Sequence, residues 1–278
     1  MTLQSYTPLR GLGLSDQSVA RLRPRVQSQH LEAGAILWHK GVQQQPLTYI
    51  MSGLVSAGIP GPGNTMTPLN IYGPGTWFGE AAFLNRRASI VQYTCLTPVS
   101  VQSISCADAL HAFEQEPAFA CFIARLISWR DQQHTEMLAL MKISSPELRV
   151  VMGLALFAEA LRNSSSHMAS LSSHETLELP LKQDVLASLC GVSRGAISLC
   201  LQQLSAAGWA HLDYGAVMLK GLSTWREFSR THRESGHSLV KISMSDILQL
   251  MQEALPRRVP KICIPYVQTA CFQAGLTV

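Results

Sequence analysis

The stretch Leu181–Leu204, LKQDVLASLCGVSRGAISLCLQQL, decides the fold of the C-terminal half of the chain. Its pattern predicts a helix from about Lys182 to Cys190, a tight turn at Gly191, and a second helix capped by Ser193. Glycine suits this turn because it adopts a positive φ without steric cost. Two short helices joined by a glycine turn are typical of a helix-turn-helix, and an ordinary pair of packed helices is the alternative.

The second of these helices has an apolar side and a polar side. Ile197, Leu201 and Leu204 recur at helical spacing and are predicted to face inward. In a helix-turn-helix, the exposed N-terminal residues of this helix enter the major groove, where arginine can bond guanine O6 and N7. Residues at the start of the first helix contact phosphate. The predicted DNA-binding residues are Lys182, Gln183, Ser193, Arg194, Ser198 and Gln202.

The flanking sequence predicts β structure on both sides. Gly208–Leu219 alternates around Asp213-Tyr214-Gly215, which predicts a two-stranded wing after the helix-turn-helix. Far upstream, residues 30–104 contain short apolar runs separated by turns such as Pro60-Gly61-Pro62-Gly63-Asn64, a pattern typical of an antiparallel sandwich or jelly roll. The predicted fold class is therefore α+β, with an N-terminal antiparallel β jelly roll and a C-terminal winged helix-turn-helix.

A long helix is predicted between these two parts. From Pro117 to about Lys142 there is no further Gly or Pro, and apolar residues recur at spacings of three and four. A helix of ~25 residues spans about 38 Å, so we interpret it as a connector that also packs against a second copy of itself. A core helix of one subunit is the alternative. Ser145 then caps a further helix that ends near Asn163, and Ser164–Glu178 is predicted to be a loop.

These signals divide the chain into four predicted parts. They are a β sensor domain at 1–115, the connector helix at 116–145, the winged helix-turn-helix at 146–228 and a C-terminal extension at 229–278.

Composition sets limits on function. The 278 residues include 22 Lys or Arg and 18 Asp or Glu, a formal net charge of +4, and only 14% are charged. A nucleic-acid surface must therefore arise from the placement of a few residues. No window reaches the ~18 consecutive apolar residues of a spanning helix, so no membrane partner is expected. The N-terminus has no secretory signal, which predicts a cytoplasmic location.

Cysteine usage and motif content argue against several classes of site. The seven cysteines are scattered and form no C-x-x-C pair, which favours reduced thiols over a disulfide framework or a zinc site. There is no P-loop, no G-x-S-x-G and no H-E-x-x-H. We expect no enzyme activity, no metal and no cofactor.

The order of β sandwich, long helix and winged helix resembles the Crp/Fnr family of bacterial transcription regulators. The resemblance covers about residues 20–228 and includes Gly79-Glu80 in WFGEAAFL and Ser193-Arg194 in VSRGAISLCLQQL. It implies a cyclic-nucleotide-binding-like sensor and a homodimer whose two heads read a pseudo-palindromic site in double-stranded DNA. It also implies RNA polymerase as a partner.

The sensor departs from the cyclic-AMP-binding members of this family. Those members hold ribose and phosphate with a Gly-Glu pair and an Arg-Ser-Ala run, whereas here Ser89 and Ile90 stand where Arg and Ser are expected. A buried phosphate without its arginine would be poorly neutralised, so we expect a small-molecule effector other than cyclic AMP, or none. The effector residues that the resemblance implies are Gly79, Glu80, Arg87, Ser89, His134 and Thr135. For His134 we favour packing at the subunit seam over ligand contact.

The recognition helix and the C-terminus depart as well. The family pattern Ser-Arg-Glu-x-x-x-Arg reads Ser193-Arg194-Gly195-Ala196-Ile197-Ser198-Leu199, so specificity would rest on Arg194, Ser198, Gln202 and DNA shape. Beyond the family's usual end, Ser245-Asp246 is predicted to cap an amphipathic helix, and the basic segment Pro256–Lys261 follows. This extension is either an extra layer packed on the body or a regulatory or DNA-flanking basic tail.

The sequence as a whole predicts a sequence-specific DNA-binding transcription regulator that acts as a homodimer. The alternative is a nucleotide-binding-like sensory module whose helical part binds a protein instead of DNA.

Overall fold

A computed structural model describes residues 8–61, 66–163, 176–235 and 242–254 of the chain. The basic segment 256–261, His167, His174, Cys263 and Cys271 lie outside the described residues, as does most of the predicted loop 164–178.

The N-terminal part is an antiparallel β sandwich. Two four-stranded sheets have the strand orders β1-β8-β3-β6 and β2-β7-β4-β5, and every pairing is antiparallel. The strands are β1 Gln27–Leu31, β2 Ile36–Trp38, β3 Leu47–Ser52, β4 Val55–Pro60, β5 Met66–Tyr72, β6 Trp77–Phe78, β7 Gln92–Cys95 and β8 Val99–Ile104. This arrangement confirms the predicted class of the N-terminal domain.

Alternating side chains from both sheets form the core of the sandwich. In β7, Tyr93 and Cys95 are buried while their neighbours are half-buried, and in β8 the buried residues are Val99, Val101 and Ile104 together with Ser103. This period of two follows from the pleat, because successive side chains point to opposite faces of a strand. Three short helices flank the sandwich: α1 Asp16–Leu22, α2 Glu80–Asn85 and α3 Cys106–Gln115.

The long helix α4 runs Pro117–Ile143, one residue beyond the predicted end. Its 27 residues span about 40 Å at 1.5 Å per residue. Phe119, Ile123, Arg130 and Leu140 are buried against the rest of the chain. Large apolar side chains on its other sides remain exposed, among them Ile127, Leu138 and Met141.

The C-terminal part is a helical head with a small sheet. Its helices are α5 Pro146–Asn163, α6 Gln183–Leu189, α7 Arg194–Ala206, α8 Leu222–Ser235 and α9 Met244–Glu253. Its strands are β9 Thr176–Leu179, β10 Ala210–Asp213 and β11 Ala216–Lys220, in the order β10-β11-β9. The structure corrects one expectation here, because the predicted loop reached into β9. The predicted two-stranded wing is the β10–β11 hairpin, and β9 adds a third strand to its sheet.

The C-terminal helix begins two residues earlier than the sequence suggested. Ser243, and not Ser245, is the N-cap, and it forms a capping box with Asp246. Met244, Ile247 and Met251 are buried in the same apolar cluster as the inward side of α7. The expected boundary at residue 228 falls inside α8, which continues to Ser235. The described part of the extension is thus an extra layer packed on the head.

One apolar cluster joins the head to the sensor. It contains Leu54 and Ile71 from the sandwich, Leu140 from α4, and the interior of the head. Strand β5 and helix α6 lie in direct contact.

Within the described residues, no single helix is long and apolar enough to cross a membrane. Helices α6 and α7 reach the length and apolar composition of a membrane span only when they are counted together, and the pair is bent by 106°.

Candidate functional site

Helices α6 and α7 cross at 106° around a tight turn. Gly191 in this turn has φ +62°, and its amide donates to the carbonyl of Ser188 at 3.1 Å. A guanidinium nitrogen of Arg149 in α5 donates to the Gly191 carbonyl at 2.8 Å, and Met141 at the end of α4 lies against the same glycine. This is the geometry of a helix-turn-helix held from behind by the connector and α5.

Helix α7 has the capping that the sequence predicted. The Ser193 hydroxyl accepts from the amide of Ala196 at 3.2 Å, which satisfies one of the free N–H groups at the helix start. Four residues on one side are buried: Ile197, Cys200, Leu201 and Leu204. They pin the helix to α5 and α6, so its opposite side is presented to solvent in a fixed orientation.

The predicted DNA-contacting residues lie on this open side or beside it. Arg194 and Gln202 are exposed and Ser198 is half-buried. Lys182 is the N-cap residue of α6 and is exposed, and Gln183 begins that helix. Ser193 is exposed, but its hydroxyl is used by the cap.

The wing extends the same surface. Strands β10 and β11 pair from Ala210 with Leu219 to Asp213 with Ala216, and Gly215 in the connecting turn has φ +79°. Tyr214 at the tip is fully exposed. A fully exposed aromatic side chain at the end of a β-ribbon is available to contact another molecule.

In the sensor, Glu80 is held by an arginine that the sequence did not point to. A guanidinium nitrogen of Arg130 in α4 donates to Oε1 of Glu80, and another donates to the backbone carbonyl of Trp77. The two charged side chains are only 8% and 11% exposed. Gly79 just before Glu80 has φ +101°, and a Cβ there would lie 2.4 Å from the Pro46 carbonyl oxygen, so only glycine fits.

Aromatic rings fill the space around this ion pair. Phe78 stacks on Tyr72 with ring centroids 5.4 Å apart and on Tyr93 at 4.7 Å. The Arg130 guanidinium lies 5.2 Å from the centre of the Tyr72 ring, within cation–π distance. Burial raises the pKa of both tyrosines, although the charge of Arg130 opposes the rise. The rings therefore stay neutral, and Arg130 is the counter-ion of Glu80.

The other predicted effector residues lie in two separate regions, the connection between α2 and β7 and the helix α4. Arg87 is exposed. The Ser89 hydroxyl donates to the Val91 carbonyl at 2.7 Å, and the Ser89 amide donates to the Val42 carbonyl at 3.0 Å. His134 and Thr135 are exposed on α4, and Nε2 of His134 lies 3.3 Å from the side-chain amide nitrogen of Asn70 in β5.

A cavity of about 70 Å³ lies where β5, α4 and the head meet. It is lined on the sensor side by Leu69–Gly73 and Thr76, on α4 by Trp129, Arg130, Gln133, His134 and Met137, and on the head by Leu156, Phe157 and Leu189. His134 thus borders a cavity, but Glu80, Arg87, Ser89 and Thr135 do not line it.

One oxygen of the buried Glu80 carboxylate is engaged within the described part of the chain and the other is not. Oε1 of Glu80 accepts from Arg130, and the rings of Tyr72, Phe78 and Tyr93 lie beside the ion pair. Oε2 of Glu80 and Nε of Arg130 have no hydrogen-bond partner within the described ranges. The ion pair is buried without full hydrogen bonding. Removing only one of its two partners would leave an unpaired buried charge and would destabilise the fold.

The sandwich, the long helix and the winged head together define a sensor joined to a helix-turn-helix. Residues 28–116 match the family model of the cyclic nucleotide-binding domain. The CRP-like cAMP-activated global transcriptional regulator of Mycobacterium tuberculosis is 24% identical over 208 residues, which cover 74% of this chain and 90% of the relative.

Solved structures share the fold. FixK2 from Bradyrhizobium japonicum aligns with a TM-score of 0.57 at 12% identity, over 78% of this chain and 98% of its own. The c-di-GMP responsive global regulator CLP of Xanthomonas campestris aligns with a TM-score of 0.56 at 20% identity, over 74% of this chain and all of its own. These findings confirm the resemblance to the Crp/Fnr family that the sequence predicted.

Proposed function

We propose that this chain is a sequence-specific DNA-binding transcription regulator of the Crp/Fnr type. The observation that carries the proposal is the orientation of α7, whose four buried residues fix it with Arg194 and Gln202 facing solvent beside the wing. A helix anchored in this way offers its outer side to the major groove. The M. tuberculosis relative is named as a transcriptional regulator, which supports the same assignment.

Each predicted DNA contact has a distinct role in this proposal. Arg194 reads a guanine through O6 and N7, while Lys182 and Gln183 contact phosphate and set the register. Ser198 and Gln202 lie farther along α7 and face the base edges. Ser193 contributes mainly as the cap that orients the helix start.

We also propose a homodimer through α4. Exposed or half-buried residues recur along this helix at alternating spacings of four and three: Ala120, Ala124, Ile127, Asp131, His134, Leu138 and Met141. This a/d spacing is typical of a coiled-coil seam, and we call it the α4 seam. A second copy of α4 would cover Ile127 and Leu138, which are 39% and 53% exposed. Twofold symmetry then requires a pseudo-palindromic operator.

We propose that a small effector other than cyclic AMP controls the regulator. Arg130 already engages one oxygen of Glu80, while the cavity between β5, α4 and the head touches all three parts of the molecule. A small molecule in this cavity changes DNA binding only if it binds one arrangement of the head more tightly than another. A molecule with equal affinity for both arrangements leaves their populations unchanged. RNA polymerase remains the expected protein partner.

Replacing Arg194 tests the proposal. Arg194→Ala removes one bidentate base contact per half-site, worth about 1–3 kcal/mol each, so operator affinity should fall at least ~30-fold for the dimer. Gel-shift titration on duplexes enriched from a random pool measures this. Arg125→Ala, at an exposed arginine of α4, is the matched control and should bind normally. An undiminished affinity of Arg194→Ala would defeat the proposal and favour a protein-binding output.

A further inference from the structure

The recognition helix carries an exposed leucine on the side assigned to DNA. Leu199 is 57% exposed, whereas its helical neighbours Cys200 and Leu201 are buried. At 3.6 residues per turn, Leu199 points about 150° away from the centre of the buried side of α7. It faces outward more directly than Arg194, which lies about 70° from that centre.

The helix position one turn before Leu199 has free space around it. Gly195 lies in the first turn of α7, and a Cβ built on it meets no atom within 4 Å. Its φ is not positive, so neither backbone conformation nor internal space requires a glycine there. An exposed helix position held by glycine leaves room for an outside surface to approach the backbone, and this room lies beside Leu199.

The chemistry of leucine restricts what it can read in the major groove. Each base pair presents donors and acceptors there, and the C5 methyl group of thymine is the apolar exception. Leucine against an amino group or a carbonyl would leave that polar group without a partner. Against a methyl group it buries apolar surface at no such cost.

We infer that Leu199 is a specificity residue of the proposed DNA-binding function and contacts a thymine methyl in each half-site. It lies five residues after Arg194, about 7.5 Å along the helix. At 3.4 Å per base pair, this places the thymine about two base pairs from the base read by Arg194. The inference rests on the proposed function. It gives Leu199 an apolar contact with a base, which the hydrogen-bonding side chains of α7 do not make.

The test removes single methyl groups from the DNA. Duplexes are first enriched from a random pool with the full-length protein, and each thymine of the half-site is then replaced by deoxyuridine, which lacks only the C5 methyl. Fluorescence anisotropy should show one thymine position where the replacement weakens binding about fourfold in one half-site and about 15-fold in both, as expected for one or two buried methyl groups.

Two variants connect this effect to the residue. Leu199→Ala should bind the thymine operator more weakly by a similar factor and should no longer distinguish thymine from deoxyuridine at that position, because the two changes remove the same contact. Leu199→Met keeps an apolar side chain of similar length and should retain the distinction. Circular dichroism checks that both variants are folded.

The possible failures are distinguishable. If the protein enriches DNA and Arg194→Ala loses affinity, but wild type and Leu199→Ala respond equally to deoxyuridine at every position, only the inference about Leu199 is overturned. If no sequence is enriched, both the inference and the proposed function are overturned.

Discussion

Arg130 is the residue that most changes the interpretation of the sensor. It is buried and charged, and it donates to one of the two Glu80 oxygens. Burial acts to lower the pKa of Arg130, but Tyr72 and Glu80 act to raise it, and the net direction is upward. The guanidinium therefore stays charged and ties α4 to the start of α2. A sensor built in this way holds its long helix in place by its own side chains.

Removing Arg130 should destabilise the fold strongly. In Arg130→Met, Glu80 loses its counter-ion while still buried, which costs about 3–5 kcal/mol for a one-sided break. The free energy of unfolding in urea measures the loss. Arg25→Met is the matched control, because the Arg25–Asp108 pair has an arginine that is 59% exposed and surface pairs contribute about 0–1 kcal/mol.

The double variant Arg130→Met with Glu80→Gln separates the destabilisation caused by an unpaired charge from that caused by lost packing. It buries no unpaired charge, so it should recover most of the lost stability. If the single and double variants unfold at the same urea concentration, the unpaired charge of Glu80 does not account for the loss of stability.

Gly195 allows stability and DNA binding to be changed in opposite directions. In Gly195→Ala, the new Cβ meets nothing inside the chain, and alanine is favoured over glycine in a helix by up to about 1 kcal/mol. Stability measured by urea unfolding should rise, while operator affinity measured by anisotropy should fall because the methyl group enters the space facing DNA. An increase in both would contradict a close approach of DNA at this position.

Gly153 in α5 provides the contrast. A Cβ there would lie 2.6 Å from the Cys190 sulfur, so Gly153→Ala should destabilise the head. Cys190 lies in the core, where burial raises the pKa of its thiol to about 12.

Among the secondary-structure elements, local signals were predictable and long-range pairings were not. The Ser193 cap and the Gly191 turn depend on residues within one helical turn, and both are found as expected. Strand β9 was missed because its pairing with β11 joins residues about 40 positions apart, and its own alternation, Thr-Leu-Glu-Leu, extends over only four residues. Arg130 was missed because a charged residue on an amphipathic helix is usually solvent-exposed, and its burial depends on where β6 and α2 lie.

The α4 seam makes a prediction for the long helix. Leu138→Lys places a charge where two copies of the leucine would otherwise pack, each worth about 1.5–3 kcal/mol. The dissociation constant of the dimer should rise at least ~100-fold, measured by analytical ultracentrifugation. Gln132→Lys adds the same charge at an exposed position of α4 outside the seam and should leave the dimer intact. Equal behaviour of the two variants would exclude this face as the dimer interface.

At the scale of the whole molecule, the head is packed against the sensor as well as tethered to it. Ile71 in β5 is 7% exposed and belongs to the same apolar cluster as α5, α6 and α7. The contact holds each head at a set position relative to the α4 seam. In a dimer, the spacing and angle of the two recognition helices would then be fixed before DNA is met, which favours simultaneous binding of two half-sites.

Ile71→Asp should uncouple the two heads without impairing either one. A carboxylate in this apolar contact is unfavourable, so the head should leave β5 and the two recognition helices should lose their fixed spacing. Affinity for a duplex with two half-sites should fall at least ~10-fold, while affinity for a single half-site should stay unchanged, because one head suffices to read it. Anisotropy on the two duplexes measures both quantities. Thr67→Asp adds the same charge at an exposed position of β5 and serves as the control. A parallel loss on both duplexes would mean that Ile71 supports the fold of the head and not the spacing of two heads.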